Sequence, residues 1–411
     1  DVGEIGRELG VAAVIEGSVR KSGDRIRVDA RLVSVDEGFR LWSERYNAEA
    51  ADIFEVQDSI ARSVARAMEV RLSGTSGELT LPGQTADYVA QELYLQGRFA
   101  WNRRTQEGLE QAVAFFEQAV DRDPDYARAL VGLGDAYAVL GFYDYRSPGE
   151  SFPLAQDAAR RALTLEPDLA EPHATLGYAA LYYDWDWDAS EHEFRLALEA
   201  DPTYPVAHQW YANYLVAMGR FEEGLSAMRR ASELNPLATV AAAAVGWVHL
   251  YAGDYELAVQ QLDQAAIRDP AFELGYLWNG QAHEALARLE RAEELIRRSV
   301  QLSDGSAISR AALARVLALR GELQQSQALL DELVREGERT YVPWYELARV
   351  RVALGDMDGA VAWLERAYDE RAHSLAFLAV DPQLHPLRAH PGFLQLLDRL
   401  TLVDVAGAPP S

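Results

Sequence analysis

Five prolines restrict what this chain can fold into more than any other feature. Pro124, Pro167, Pro202, Pro236 and Pro270 stand 43, 35, 34 and 34 residues apart, each behind an acidic residue or Asn. Nine residues past each proline come Leu133-Gly134, Leu176-Gly177, Tyr211-Ala212, Val245-Gly246 and Asn279-Gly280. Three further on come Tyr137, Ala180, Leu215, His249 and His283, and Ala162-Leu163, Ala197-Leu198 and Ala265-Ala266 precede a following proline. A fixed period of this length marks a stacked repeat. Each unit holds two helices, neither of which can bury its apolar face alone, so the hairpins must pile up. Gly or Ala at the eighth place lets the two helices approach closely. Proline ends the second helix and starts the next unit.

These anchors in register resemble the tetratricopeptide repeat (TPR). The expected fold is therefore mainly α: a TPR α-solenoid, a right-handed superhelix of hairpins, preceded by a small α+β fragment. The array is expected over 86–372 as about eight helix pairs, with a 373–411 cap and tail. An insertion at Phe142–Glu150 explains the 43-residue interval. After Pro270 the proline is lost, and Asp304-Gly305 takes over the break. Val380–Arg388 with Pro391-Gly-Phe-Leu394 resembles the terminator that follows such arrays. It predicts a last short helix, Gly392–Leu400, laid over the end of the core.

Residues 1–73 read differently. Gly3–Leu9 is the tail of a helix capped by Gly10, and Val11–Val19 is an apolar strand. Lys21–Asp24 is a turn, after which Ile26, Val28, Ala30 and Leu32 alternate with charged residues as in a half-wet strand. Phe39–Tyr46 follows. Asp52 then caps a helix with Glu55 as its box partner, and Ile53, Val56, Ile60, Val64 and Met68 form its stripe. Glu16–Arg20, Leu41–Tyr46 and Asp52–Phe54 resemble the second half of the TolB amino-terminal-like domain, which in bacteria commonly precedes TPR arrays in signalling and regulatory proteins. That domain's opening strand and most of its first helix are missing, so 1–73 is expected to be a truncated domain. Residues 74–85, rich in Gly, Ser, Thr and Pro, read as a linker.

Composition excludes several classes of function. The formal charge of −25 argues against nucleic acid and anionic membrane surfaces as partners of this segment. The absence of Cys removes disulfides, thiolate catalysis and Cys-based zinc sites. There is no membrane-span-length apolar run and no leader-like start, and the expected location is cytoplasmic. The opening at Asp1 rather than Met reads as a segment of a longer protein.

Phosphate-cradling loops, zinc-binding His-Glu-x-x-His and nucleophile-elbow patterns are absent, so no catalytic residue, metal or cofactor is assigned. His249 and His283, at the repeat's tyrosine position, read as core. Asp184-Trp-Asp-Trp-Asp188 opens like a calcium loop, yet Ala189 and Arg195 stand where Gly and Glu are needed. The better reading has Asp188 capping a helix, with Glu191 as box partner and the two tryptophans wedging the turn.

In TPR arrays the first helices line the concave face. By register the ninth places, Asp135, Tyr178, Asn213, Trp247, Gln281 and Arg315, project into it, with Leu181, Tyr182, Leu250, Tyr251 and Glu284 nearby. Tyr178, Tyr182, Asn213, Trp247, Tyr251 and Gln281 are the candidate partner-binding groove, suited to an extended peptide or amphipathic helix. A basic clamp for a terminal carboxylate is not expected there. The implied function is a non-enzymatic protein-interaction module, the regulatory C-terminal part of a bacterial signalling or transcription-regulating protein. Two alternatives stay open: an enzyme (a nucleotide cyclase or Ser/Thr kinase) through a domain upstream, and a self-assembling scaffold whose groove receives another copy's tail.

Overall fold

The computed structural model describes residues 11–49 apart from 12, 23–24 and 36–39, and residues 85–407 apart from 86, 104, 144, 237 and 338–342. The helices expected at Gly3–Leu9 and Asp52–Met68, and nearly all of the linker, lie outside the described residues. The chain divides into two compact units, Asp1–Gly97 with Phe115–Ala129, and Arg98–Ala114 with Leu130–Ser411.

In the first unit, β1 (Ala13–Ser22), β2 (Arg25–Ser34) and β3 (Arg40–Glu49) form an antiparallel meander in that order. The register sets Val28 between Val19 and Tyr46, with an irregularity at Leu32/Val33. Val28, Ala30 and Leu32 are buried while Arg27 and Arg31 are exposed, the two-residue alternation that the sequence prescribes. Helix α1 (Tyr88–Asn102) starts on Asp87, whose carboxylate accepts from the amides of Val89 and Ala90 and pairs with Arg122. Helix α2 (Gln106–Arg122) follows, and the division between the two units falls within both helices, Arg98–Ala114 belonging to the second.

The second unit is a run of hairpins. Its first helices are α3 (Ala127–Phe142), α5 (Ala170–Ala179), α7 (Pro205–Ala217), α9 (Thr239–Ala252), α11 (Glu273–Ala285), α13 (Ala307–Leu319) and α15 (Trp344–Ala353). Their partners are α4 (Pro148–Leu165), α6 (Trp187–Ala200), α8 (Phe221–Leu234), α10 (Tyr255–Arg268), α12 (Leu289–Leu302), α14 (Leu323–Glu336) and α16 (Met357–Asp369). Glu166, Asp201, Asn235 and Asp269 are the residues on which α4, α6, α8 and α10 end, each just ahead of its proline. The eighth-place glycines sit where the helices of a hairpin touch. A Cβ on Gly246 would lie 2.6 Å from Leu262 Cγ, so only hydrogen fits beneath that side chain. At the lost proline, Asp304 and Gly305 both take positive φ, and Ser306 caps α13.

Three local details refine or change the expectations. The 43-residue interval goes in part into longer helices: α3 and α4 run to 16 and 18 residues, against 14 each in α9 and α10. Helix α6 is capped by Asp186, not Asp188; the Asp186 carboxylate accepts from Ala189 N at 3.0 Å. A π turn over Ala180–Asp184 and a left-handed Trp185 reverse the chain early, which brings Asp186 to the capping position. Glu191 does not close a capping box; it pairs with Arg220 and Arg195 and accepts from Tyr211.

The third change concerns the tail. Helix α17 (Pro391–Arg399) packs back on α16, with His390 Nε2 2.9 Å from Asp358, and α18 (Val403–Gly407) follows. It does more than cover the last hairpin, because Trp187 Nε1 donates to Leu400 O at 2.8 Å, while Trp185 lies against Tyr368 of α16. Of the two tryptophans read as turn wedges, Trp187 therefore holds the tail and Trp185 the last hairpin. Between α16 and α17 the chain turns inward as two 3₁₀ segments, His373–Phe377 and Pro382–Leu387.

Candidate functional site

The register-derived aromatics lie near one another in the second unit, but Tyr178 and Tyr182 are packed core rather than open groove. Tyr178 is 3% exposed, its ring 4.2 Å from Trp210 and 4.5 Å from Tyr182. Tyr182 is fully buried, 5.0 Å from Phe142. Burial pushes its phenol far above the ordinary value, against which a hydrogen bond with Asn213 pulls it down. Trp247 and Tyr251 are half-buried neighbours, 4.9 Å apart.

What faces this strip is the chain's own C-terminal segment. Phe377 brings its ring to 5.3 Å from Trp247, 5.4 Å from Tyr251 and 6.1 Å from Tyr182. The His373 ring lies 4.6 Å from that of Phe142, tilted by 46°. Tyr182, Trp247 and Tyr251 thus line a covered surface, and Phe377, more than a hundred positions further along the chain, provides the cover. Tyr145, in the link between α3 and α4, feels the charge of Glu273; burial first, and that carboxylate second, push its phenol up to about 12.

Polar groups secure the same segment. Asp381, which caps the second 3₁₀ segment, contacts α15: its carboxylate accepts from Arg349 Nε at 2.7 Å and from the Tyr345 hydroxyl at 2.8 Å. Burial by itself would lower the Arg349 pKa, but Asp381 and the phenols of Tyr251 and Tyr345 hold it well above the ordinary value. Ser374 Oγ donates to Glu346 Oε1 at 2.9 Å, and Gln383 Nε2 to Glu284 Oε1 at 3.1 Å. Arg315 Nε reaches the same Glu284 oxygen at 2.8 Å, and its Nη1 donates to Arg349 O. This face carries Arg315, expected there from register, and Arg349, and each is already paired with a carboxylate of this chain.

Beside the segment a cavity of about 310 Å³ stays open. Gln281, the sixth candidate, lines it with Tyr251, Glu284, Arg315, Arg349 and Asp381. Asp135 sits apart from it, buried, and accepts from Thr175 at 2.9 Å and from Arg98. Of the residues that hold the segment, Arg349 was legible by register, 34 positions after Arg315. Phe377 and Asp381 lie outside the period and carry no such signal.

His249 and His283 are buried, as core residues of α9 and α11. Among the described residues no cluster of His, Asp or Glu could hold a metal ion, and no helix is long and apolar enough to cross a membrane.

Comparison with known proteins bears out the repeat. The tetratricopeptide repeat matches residues 98–144, 244–307 and 311–374. Over 181 residues the chain is 30% identical to "Putative adenylate cyclase 3" of Rhizobium meliloti (strain 1021), covering 44% of this chain and 31% of that protein. Over 170 residues it is 25% identical to "Tetratricopeptide repeat protein 6" of Homo sapiens, covering 41% and 31%. The chain thus spans under a third of the length of either relative. Among solved structures, the APC/C hetero-tetramer Cut9-Hcn1 is similar in fold, with a TM-score of 0.51 at 15% identity over 82% of this chain and 59% of that one. The chain carries TPR repeats in a mainly helical solenoid with a small N-terminal sheet.

Proposed function

We propose that this chain is a protein-interaction module, without catalysis of its own, whose inner wall receives an extended protein segment. One observation carries the reading: that wall already holds a non-repeat stretch of peptide, 372–383, by ring contacts and side-chain hydrogen bonds. Stacked hairpins leave such a surface as a consequence of their geometry, and aromatic and arginine anchors are the side chains that dominate protein recognition. We further propose that the module is the cytoplasmic, regulatory part of a longer bacterial signalling protein, with the N-terminal sheet a remnant of a TolB-like domain. The likeness to a protein named for cyclase activity supports placing any catalysis in a separate part of that longer protein.

The test is selection of peptides against the purified chain, with Gln281→Trp as a counter-target that fills the cavity. Selected peptides should bind the variant at least about tenfold more weakly. They should also protect inner-wall amides of α9, α11 and α13 from hydrogen exchange. Peptides that protect only the outer helices, or bind both proteins alike, would overturn the reading.

A further inference from the structure

We propose that residues 372–383 are a resident ligand of the inner wall, and that the partner is a protein segment with the same two anchors, an aromatic side chain and, four residues later, a carboxylate. This rests on the reading of the wall as a peptide receptor.

The segment is attached as a docked peptide is. Its backbone hydrogen bonds close within itself or onto the end of α16, from Ala372 N to Ala367 O through Leu384 N to Asp381 O. Its hold comes from side chains, with Leu375, Ala376, Leu378 and Leu384 buried beside the two anchors. Phe377 enters the space between Tyr182, Trp247 and Tyr251, and Asp381 meets Arg349 and Tyr345. Short 3₁₀ turns have poorer hydrogen bonds than the α-helices beneath them and add little stiffness of their own. Both ends of the excursion return to one helix: the chain leaves α16 at its C-terminus, and α17 comes back to it through His390 and Asp358. The stretch between can lift while α17 stays docked. The cavity opens directly onto the Arg349–Asp381 pair, so an incoming carboxylate reaches the arginine before the aromatic anchor is displaced. A tethered occupant has an effective concentration on the order of millimolar, so a free segment at lower concentration is excluded until the resident one opens.

The experiment uses the full chain and a labelled synthetic peptide with the sequence of residues 371–387. The peptide should bind Phe377→Ser/Asp381→Asn at least about tenfold more tightly than the parent protein, and adding Arg349→Met should remove that gain. Native-state hydrogen exchange on the parent chain is the second arm. Amides of 375–384 should exchange through an opening that leaves α9, α11 and α15 protected. Exchange of the segment only together with those helices, or loss of cooperative melting in the double variant, would show the segment to be inseparable core and overturn the proposal. Locked exchange leaves peptide capture in the neighbouring cavity standing; independent opening without capture overturns both readings.

Discussion

Arg349→Met should destabilise the protein by about 3–5 kcal/mol, the usual cost of leaving one charge of a buried pair without its partner. The Asp381 side chain is 1% exposed, and the guanidinium is its cationic partner. Without Arg349 the carboxylate keeps only the Tyr345 hydroxyl at 2.8 Å and the Gln383 amide at 2.8 Å as donors. Met preserves most of the arginine's apolar stem, so the loss is electrostatic rather than a cavity. Asp381→Leu should cost a similar amount, because Arg349 then keeps only the Tyr251 hydroxyl at 3.3 Å and the more distant Glu346 at 3.9 Å. Removing both charges together should cost much less than the two single changes added, with a coupling of about 2 kcal/mol or more. Urea unfolding followed by circular dichroism gives the three free energies, with equal slopes as the check on cooperativity. Single effects that simply add would refute the claim that this pair anchors the segment.

Two further outcomes are expected. Tyr178→Ala should cost about 3–5 kcal/mol, because the ring is buried against Trp210 and Tyr182 and its loss leaves a cavity; an unchanged melting curve would show that the ring is not packed core. Burial raises the Glu273 pKa, which means the fold disfavours its ionised form. That cost is present above the raised folded-state pKa and absent below the ordinary glutamate range. Glu273→Gln should therefore raise the urea midpoint at neutral pH, with the gain fading on acidification, and a shift independent of pH would contradict the assignment.

Much of the candidate site was legible from the 34-residue register. Tyr178, Tyr182, Trp247 and Tyr251 lie near one another because equivalent places in successive hairpins face the same way, and Arg349 continues the series from Arg315. Their exposure was not legible. Phe377 and Asp381 follow no repeat, and the inward turn between α16 and α17 depends on the wall being within reach of the last hairpin. The capping shift from Asp188 to Asp186 has the same origin on a smaller scale. A π turn spends one extra residue per turn, and nothing in the local letters of 180–186 signals it.

The sequence by itself determined the hairpins: where proline must end a helix, where only glycine fits between two of them, and which faces must be buried against a neighbour. These are contacts within one period, and short-range sterics and hydrophobic spacing suffice to set them. Tertiary structure alone decided what the inner wall touches. The contacts of Phe377 with Trp247 and of Leu400 with Trp187 join residues many repeats apart, and no single period specifies them. The same wall that register marks as a recognition surface is therefore already engaged, held by an aromatic ring and a buried ion pair.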